Sequence, residues 1–335
     1  MRTKIVLCYP VEPRHIEQIA AAMPEAEVID AGQERVADQL FEADIFCGHA
    51  KVPVDWEGVV RQGRLKWVQS SAAGMDHVMV PAITESDVTV TSASAVLADQ
   101  VAEHAIALIT GWCRNMPAFF LAQQKREFIR RPTQDLTGST VGIVGLGGVG
   151  RRLAELLRGF HTRIFATDMF PVDKPGHVEA LWGADRLDEM LPLVDFLILS
   201  LPLNDDTQGM FDAGTLAKTK PGSLFANMAR GPLVVTGDLI EALETRHLAG
   251  AVVDVTDPEP LPPESRLWDL PGVIITPHVA GQSARRIDNM TDLFCRNLAR
   301  WQAGRPLINR LFDKKLGFPI RGRGTPIWGD GCESE

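Results

Sequence analysis

From residue 139 to residue 150 the chain reads Ser-Thr-Val-Gly-Ile-Val-Gly-Leu-Gly-Gly-Val-Gly, and few folds can accept such a stretch. Val141 to Gly145 has the length and apolar content of a short buried strand. Gly145, Gly147 and Gly150 then spell G-x-G-x-x-G, and Val149, Leu153, Leu156 and Leu157 recur at helical spacing. A strand that passes through such a turn directly into a helix is the context in which this motif binds a dinucleotide. Gly145 permits the tight turn, Gly147 lets the backbone approach a pyrophosphate, and Gly150 lets the helix pack on the strand. Gly148 and Val149 complete the loop, where the first-turn N–H groups and the helix dipole face the phosphates.

A second strand-like run, Arg163 to Asp168, ends in an acid eighteen residues after Gly150. That is close to the spacing at which a carboxylate accepts hydrogen bonds from the adenosine ribose. An acid at a strand end is by itself an ordinary turn residue; the whole constellation is what points to a dinucleotide. Asp168 would repel a 2′-phosphate, and Met169 and Phe170 after it offer no cation. These residues favour NAD over NADP as the cofactor.

The remainder of the chain narrows the setting. A length of 335 residues suggests two domains, and 45% hydrophobic residues can fill a sizeable core. The net charge is −9, and no long basic cluster occurs, which argues against nucleic acid as a partner. The five cysteines (8, 47, 113, 295 and 333) are scattered and form no CxxC pair. That pattern argues against a disulfide framework and against a zinc site, and it fits a reducing compartment. The N-terminal apolar run is too short for a signal peptide, and no stretch has the length of a membrane span. A cytoplasmic protein that does not enter membranes is expected.

Before the glycine motif, strands are expected at Lys4–Tyr9, Glu27–Ile29, Ile45–Gly48, Leu65–Gln69 and Val88–Thr91. Helices are expected at Arg14–Met23 and Gln33–Glu42. This alternation predicts an open parallel α/β sheet. The small-residue run Ser70–His77 reads equally as an anion-binding backbone nest or as a plain strand-to-helix loop. A long helix is expected from Val96 to Arg114, with Glu103 and His104 as solvated or hydrogen-bonded helix residues. Pro117 kinks or restarts it, and the apolar run to Phe119, Phe120 and Leu121 offers an oligomer interface.

After Asp168, strands are expected at Asp195–Leu201, Ser223–Asn227, Ala251–Asp254 and Val273–Thr276, with a helix at Gly237–Leu248. With the two strands of the glycine unit, this makes a six-strand doubly wound sheet. Ligands sit beyond the carboxyl ends of such strands. Those ends carry Met228, Ala229 and Arg230; Asp254 and Glu259; and His278 and Gly281. Each residue alone has an ordinary explanation, as a surface ion-pair partner, an exposed acid or a turn histidine. On successive strand ends of one nucleotide domain they suit reduction of a 2-oxo acid. Arginine binds the carboxylate and polarises the ketone. Histidine gives a proton to the carbonyl oxygen as hydride arrives, and a nearby carboxylate orients the ring and favours its charged form.

At this point the chain resembles the D-isomer-specific 2-hydroxyacid dehydrogenases, from about Leu65 to Leu311. The matching segments are Ala72–Asp76, Val101–His104, Leu136–Gly147, Leu201–Thr207, Lys220–Gly222, Arg230-Gly231, Asp254–Pro262 and Thr276–His278. The resemblance implies that Arg230, Glu259 and His278 are catalytic and that Asp254 bonds the nicotinamide amide. It also implies that Leu201, Pro202 and Thr207 line the adenine side. The loop carrying Ala73 and Gly74 would offer N–H groups to the substrate carboxylate, alongside Arg230 and His278. It further implies a Rossmann domain (99–283) inserted into a flavodoxin-like substrate domain (1–98 and 284–335), with hinge helices near 99 and 284, in a homodimer that opens and closes. Many members have arginine where this chain has Gly148. The segment from Asp254 resembles the glyoxylate/hydroxypyruvate reductase branch. Phosphoglycerate dehydrogenases carry an arginine after the third strand, where alignment places Cys47, with Lys51 nearby. The stretch after Asp313 is short for a regulatory domain and is expected to be poorly ordered or wrapped on the surface. Three functions follow: a glyoxylate- or hydroxypyruvate-type reductase, a 3-phosphoglycerate dehydrogenase, or an NADH-sensing co-repressor-like binding protein.

Overall fold

The computed structural model describes residues 2–75, 77–323 and 325–329. The chain forms two compact units, Met1–Leu97 with Ser283–Glu335, and Ala98–Gln282.

In the first unit, apolar runs with no polar alternation become strands covered on both faces. The strands are β1 (Lys4–Cys8), β2 (Glu27–Asp30), β3 (Ile45–Gly48), β4 (Trp67–Ser70) and β5 (Thr89–Thr91). They are all parallel, in the flavodoxin-like order β2-β1-β3-β4-β5. Successive side chains point to opposite faces. Ile5, Leu7, Ile45, Cys47 and Trp67 therefore join one core with Ile19, Leu293 and Phe294. Val6, Cys8, Phe46 and Val68 join another with Val36, Leu40 and Val59.

The returning chain is tied into this unit by buried polar contacts. Asn297 on the helix Arg286–Gln302 donates to Gln69 Oε1 at 3.0 Å and accepts from Ile308 N at 2.7 Å. His15 meets Asp288 at 2.7 Å, and the Tyr9 and Thr291 hydroxyls lie 3.1 Å apart. The segment after Asp313 wraps closely onto the unit. Lys314 Nζ donates to the carbonyls of Ile83 (2.8 Å), Val88 (3.1 Å) and Ser86. Ile320, Thr325 and Ile327 are buried, and Trp328 N donates to Asn309 Oδ1.

The second unit holds β6 (Thr140–Val144), β7 (Arg163–Asp168), β8 (Ala180–Gly183), β9 (Phe196–Leu199), β10 (Ser223–Asn227), β11 (Leu248–Val253) and β12 (Val273–Ile275). All are parallel, in the order β12-β11-β10-β9-β6-β7-β8. This is the Rossmann arrangement, and the strand order reverses at β6 and β9. The sheet has seven strands where six are expected from the sequence. The added one, β8, is an edge strand of four half-buried residues, too short to show a period of its own. Leu248 opens β11 and does not close a helix, because the helix Thr236–Glu244 ends four residues earlier. The long helix also stops early, at Cys113. Asn115 turns left-handed (φ 58°), and a second helix, Met116–Gln124, starts with Pro117 in its first turn at 71° to the first. Proline is accepted there because the first-turn N–H has no partner within the helix.

Candidate active site

The glycine turn lies at the carboxyl end of β6. Gly145 has φ 93°, and a side chain there would come within 2.9 Å of Leu201 and of Ser200 O. A Cβ on Gly150 would lie 2.1 Å from Gly145 O, so only glycine lets the helix Gly148–Leu157 sit down on the turn. Gly147 differs: a Cβ there meets nothing within 4 Å, and no side chain caps this helix N-terminus. The open face at Gly147 and the uncapped first turn fit a pyrophosphate. Ser200 Oγ, not singled out from the sequence, ties the end of β9 to the turn by donating to Gly145 O at 2.7 Å. Asp168 ends β7 and already accepts Leu146 N (2.7 Å) and Phe170 N (2.9 Å). Arg151 spans the same loops, donating to the carbonyls of Leu146 (3.1 Å), Val172 (2.9 Å) and Asp173 (2.8 Å).

Three neighbouring strands, β10, β11 and β12, carry the other expected groups. His278 follows β12, and its Nδ1 lies 2.6 Å from Glu259 Oε1, in the loop after β11. With Nδ1–H donated to the carboxylate, Nε2 is the nitrogen left for a substrate. Arg230 follows β10, and its guanidinium donates to Ala229 O at 2.8 Å, while its carbonyl accepts from Asn227 Nδ2. The next residue, Gly231, is pressed so closely on the following loop that a Cβ would fall 1.8 Å from Thr256 O. Asp254 is 2% exposed and organises the histidine turn: its backbone O accepts His278 N (2.7 Å), Oδ1 accepts Val279 N and Oδ2 accepts Ala280 N, both at 2.9 Å. Thr276 Oγ donates to Oδ1 at 2.6 Å, and His104 Nε2 reaches Thr276 Oγ at 2.9 Å. His104 is thus a hydrogen-bonded helix residue, one of the two states expected of it from the sequence; an i, i+3 pattern alone cannot show which strand end a helix faces.

Residues 106–280 match the model of the NAD binding domain of the D-isomer specific 2-hydroxyacid dehydrogenases. The chain belongs to this dehydrogenase family. It is 30% identical to the glyoxylate reductase of Pyrococcus furiosus over 85% of this chain and 89% of that protein. It is 29% identical to the D-3-phosphoglycerate dehydrogenase of Bacillus subtilis over 86% of this chain but 55% of that protein, so it spans about half of that relative's length. Among solved structures, the NADPH-dependent glyoxylate/hydroxypyruvate reductase of Sinorhizobium meliloti, in complex with NADP and sulfate, superposes with a TM-score of 0.80. That comparison covers 95% of this chain and 100% of the other, at 29% identity. The chain is thus a 2-hydroxyacid oxidoreductase with a nicotinamide-binding domain.

The remaining positions in this dehydrogenase can be placed. Leu201 and Pro202 follow β9, and Thr207 closes that loop on itself, donating to Pro202 O (2.9 Å) and accepting Asn204 N (2.9 Å). Met228 and Ala229 are buried after β10, and Gly281 lies in the turn beyond His278. In the first unit, Ala73 is exposed and Gly74 half-buried in the loop after β4; Asp76 lies outside the described residues. Cys47 is fully buried within β3, so it does not stand at a mouth. The residues that follow β3 are His49, Ala50 and Lys51; the His49 ring stacks on His77 at 3.7 Å, and Lys51 is exposed.

Proposed function

We propose that this chain is an NAD-dependent D-2-hydroxyacid dehydrogenase that reduces a small 2-oxo acid of the glyoxylate or hydroxypyruvate type. The observation that carries the reading is the 2.6 Å His278–Glu259 pair on the strand end beside those of β11 and β10, the latter leading into Arg230. Arg230 would bind the substrate carboxylate and polarise the ketone. His278, as imidazolium, gives the Nε2 proton to the carbonyl oxygen, and Glu259 accepts Nδ1–H and balances the ring's charge. The cofactor, when bound, supplies the hydride that reaches the carbonyl carbon. Gly145, Gly147 and Gly150, with the N–H groups at Gly148 and Val149, would hold its pyrophosphate.

NAD is favoured over NADP by Asp168 at the ribose end of β7. The nearby Arg151 spends three of its donors on backbone carbonyls instead of facing outward for a 2′-phosphate. A cytoplasmic setting is favoured by thiols at Cys8, Cys47, Cys113 and Cys295. We also propose a homodimer, with the exposed Phe120, Leu121 and Phe128 in its interface.

Consumption of NADH and of NADPH should be followed with glyoxylate, hydroxypyruvate, phosphohydroxypyruvate, pyruvate and phenylpyruvate. Turnover of glyoxylate or hydroxypyruvate with a preference for NADH is expected. Arg230→Ala should lower turnover at least about a hundredfold while NADH binding persists. Preference for phosphohydroxypyruvate would move the reading to a 3-phosphoglycerate dehydrogenase, with Lys51 as the candidate cation for the phosphate. NADH binding with no turnover on the whole panel would move it to a dinucleotide sensor.

A further inference from the structure

We propose that His104 is a positioning residue for the catalytic histidine, acting through a hydrogen-bond chain from His104 to Thr276 to Asp254 that holds the His278 turn in place. The inference rests on the reading of His278 as the proton donor. His278 occupies the left-handed region at φ 54°, which is costly for a residue with a side chain and persists only where the surroundings impose it. What imposes it is Asp254, which accepts the N–H groups of His278, Val279 and Ala280 in succession.

The direction of the chain follows from its buried end. An ionised carboxylate only accepts hydrogen bonds, so the single hydroxyl proton of Thr276 must point at Asp254 Oδ1, 2.6 Å away. Thr276 Oγ can then only accept from its other neighbour, and His104 Nε2, at 2.9 Å, must carry a proton. The opposite tautomer would set two lone pairs against each other. Nε2 also lies 3.5 Å from Asp254 Oδ1, so the N–H points into the carboxylate's field. With the donor at position 104 removed, Thr276 Oγ still donates to Oδ1 but loses one of the two hydrogen bonds that hold it in place, so a bond of the group that shapes the turn is held less firmly.

The bland alternative is that His104 merely anchors its helix. Ala102, Ala105, Ile109 and Cys113, each no more than 2% exposed, already seat the helix Ala98–Cys113 in the apolar core. Loss of the imidazole should therefore change the turn much more than the fold.

The test is steady-state kinetics of the full chain with its best 2-oxo acid, for His104→Leu, His104→Gln, Thr276→Val and His104→Leu/Thr276→Val. His104→Leu should lower kcat about tenfold, equivalent to a small change in barrier, with KM for NADH and the thermal midpoint little changed. His104→Gln, whose amide can donate from nearly the same place, should recover most of that loss. The double variant should be no worse than Thr276→Val alone, as expected for residues acting in one chain. A wild-type kcat in His104→Leu, a glutamine variant as impaired as the leucine one, or additive losses would each overturn the proposal. The His104 tautomer, read by ¹⁵N NMR without turnover, separates the two ways of failing. Nδ1–H in place of Nε2–H sinks the chain itself. Nε2–H in a protein that reduces no 2-oxo acid sinks the dehydrogenase reading and, with it, the positioning role.

Discussion

At the scale of single residues, the three motif glycines do different work, and their substitutions should separate accordingly. Gly150→Ala puts a methyl group 2.1 Å from Gly145 O, a contact that neither backbone can yield to without moving the helix. It should destabilise the second unit by about 1–3 kcal/mol, as overpacking does, and weaken NADH binding too. Gly147→Ala meets only open space and has φ −74°, which any residue tolerates. It should leave the thermal transition unchanged and lower NADH affinity alone, because its methyl group stands where the phosphates approach. Fluorescence titration beside thermal melting measures both; equal NADH affinity in Gly147→Ala and wild type would count against a pyrophosphate at this turn. The order of these glycines was legible in the sequence. So was their division into packing and access roles; only the structure names the atoms that a Cβ would strike, which belong to Gly145 and to residues 200 and 201, just past the end of β9.

At the scale of elements, strand starts and ends decide most of the chemistry. Asp195, just before β9, links neighbouring elements by accepting Thr140 N at 2.9 Å and Lys220 Nζ at 2.6 Å. Its partial burial raises its pKa, but the bonds from Lys220 and Thr140 outweigh that, and the net shift is downward. A carboxylate with a lowered folded pKa adds stability that is present above its unfolded pKa, about 4, and is lost as pH falls through the folded value. Asp195→Asn should therefore be less stable than wild type at pH 7, with the difference closing in acid below about pH 4. Urea unfolding at both pH values checks this, and a gap that persisted in acid would refute the assignment. Strand positions such as Ile45–Gly48 and Ser223–Asn227 could be read directly, since apolar runs of strand length bounded by turns leave little choice. The helix restart at Pro117 could also be read, from proline's own chemistry; the edge strand β8 could not, because it is stabilised by what it packs against and not by its own pattern.

At the scale of the whole molecule, the helix Met116–Gln124 and the segment after it leave Phe120 56%, Leu121 59% and Phe128 101% exposed. Exposed apolar side chains this close in sequence are the candidates for the proposed interface. If that surface joins two copies, Phe120→Glu should convert a dimer into a monomer in light scattering without unfolding either unit. A wild-type chain that is monomeric at micromolar concentration would remove the homodimer from the functional reading.

The sequence by itself determined the architecture of two parallel α/β units, the dinucleotide turn and the identity of the residues at the strand ends, because buried periodicity, glycine spacing and residue chemistry are local properties. It also placed Arg230, Glu259 and His278 at the ends of strands. Only the tertiary structure set Glu259 on His278 Nδ1 and turned Asp254 into the organiser of the histidine turn. Only the tertiary structure, likewise, brought His104, 172 residues earlier in the chain, to Thr276. Such pairings join groups distant in the chain, and their partners are chosen by how helices and strands pack, which no local pattern records.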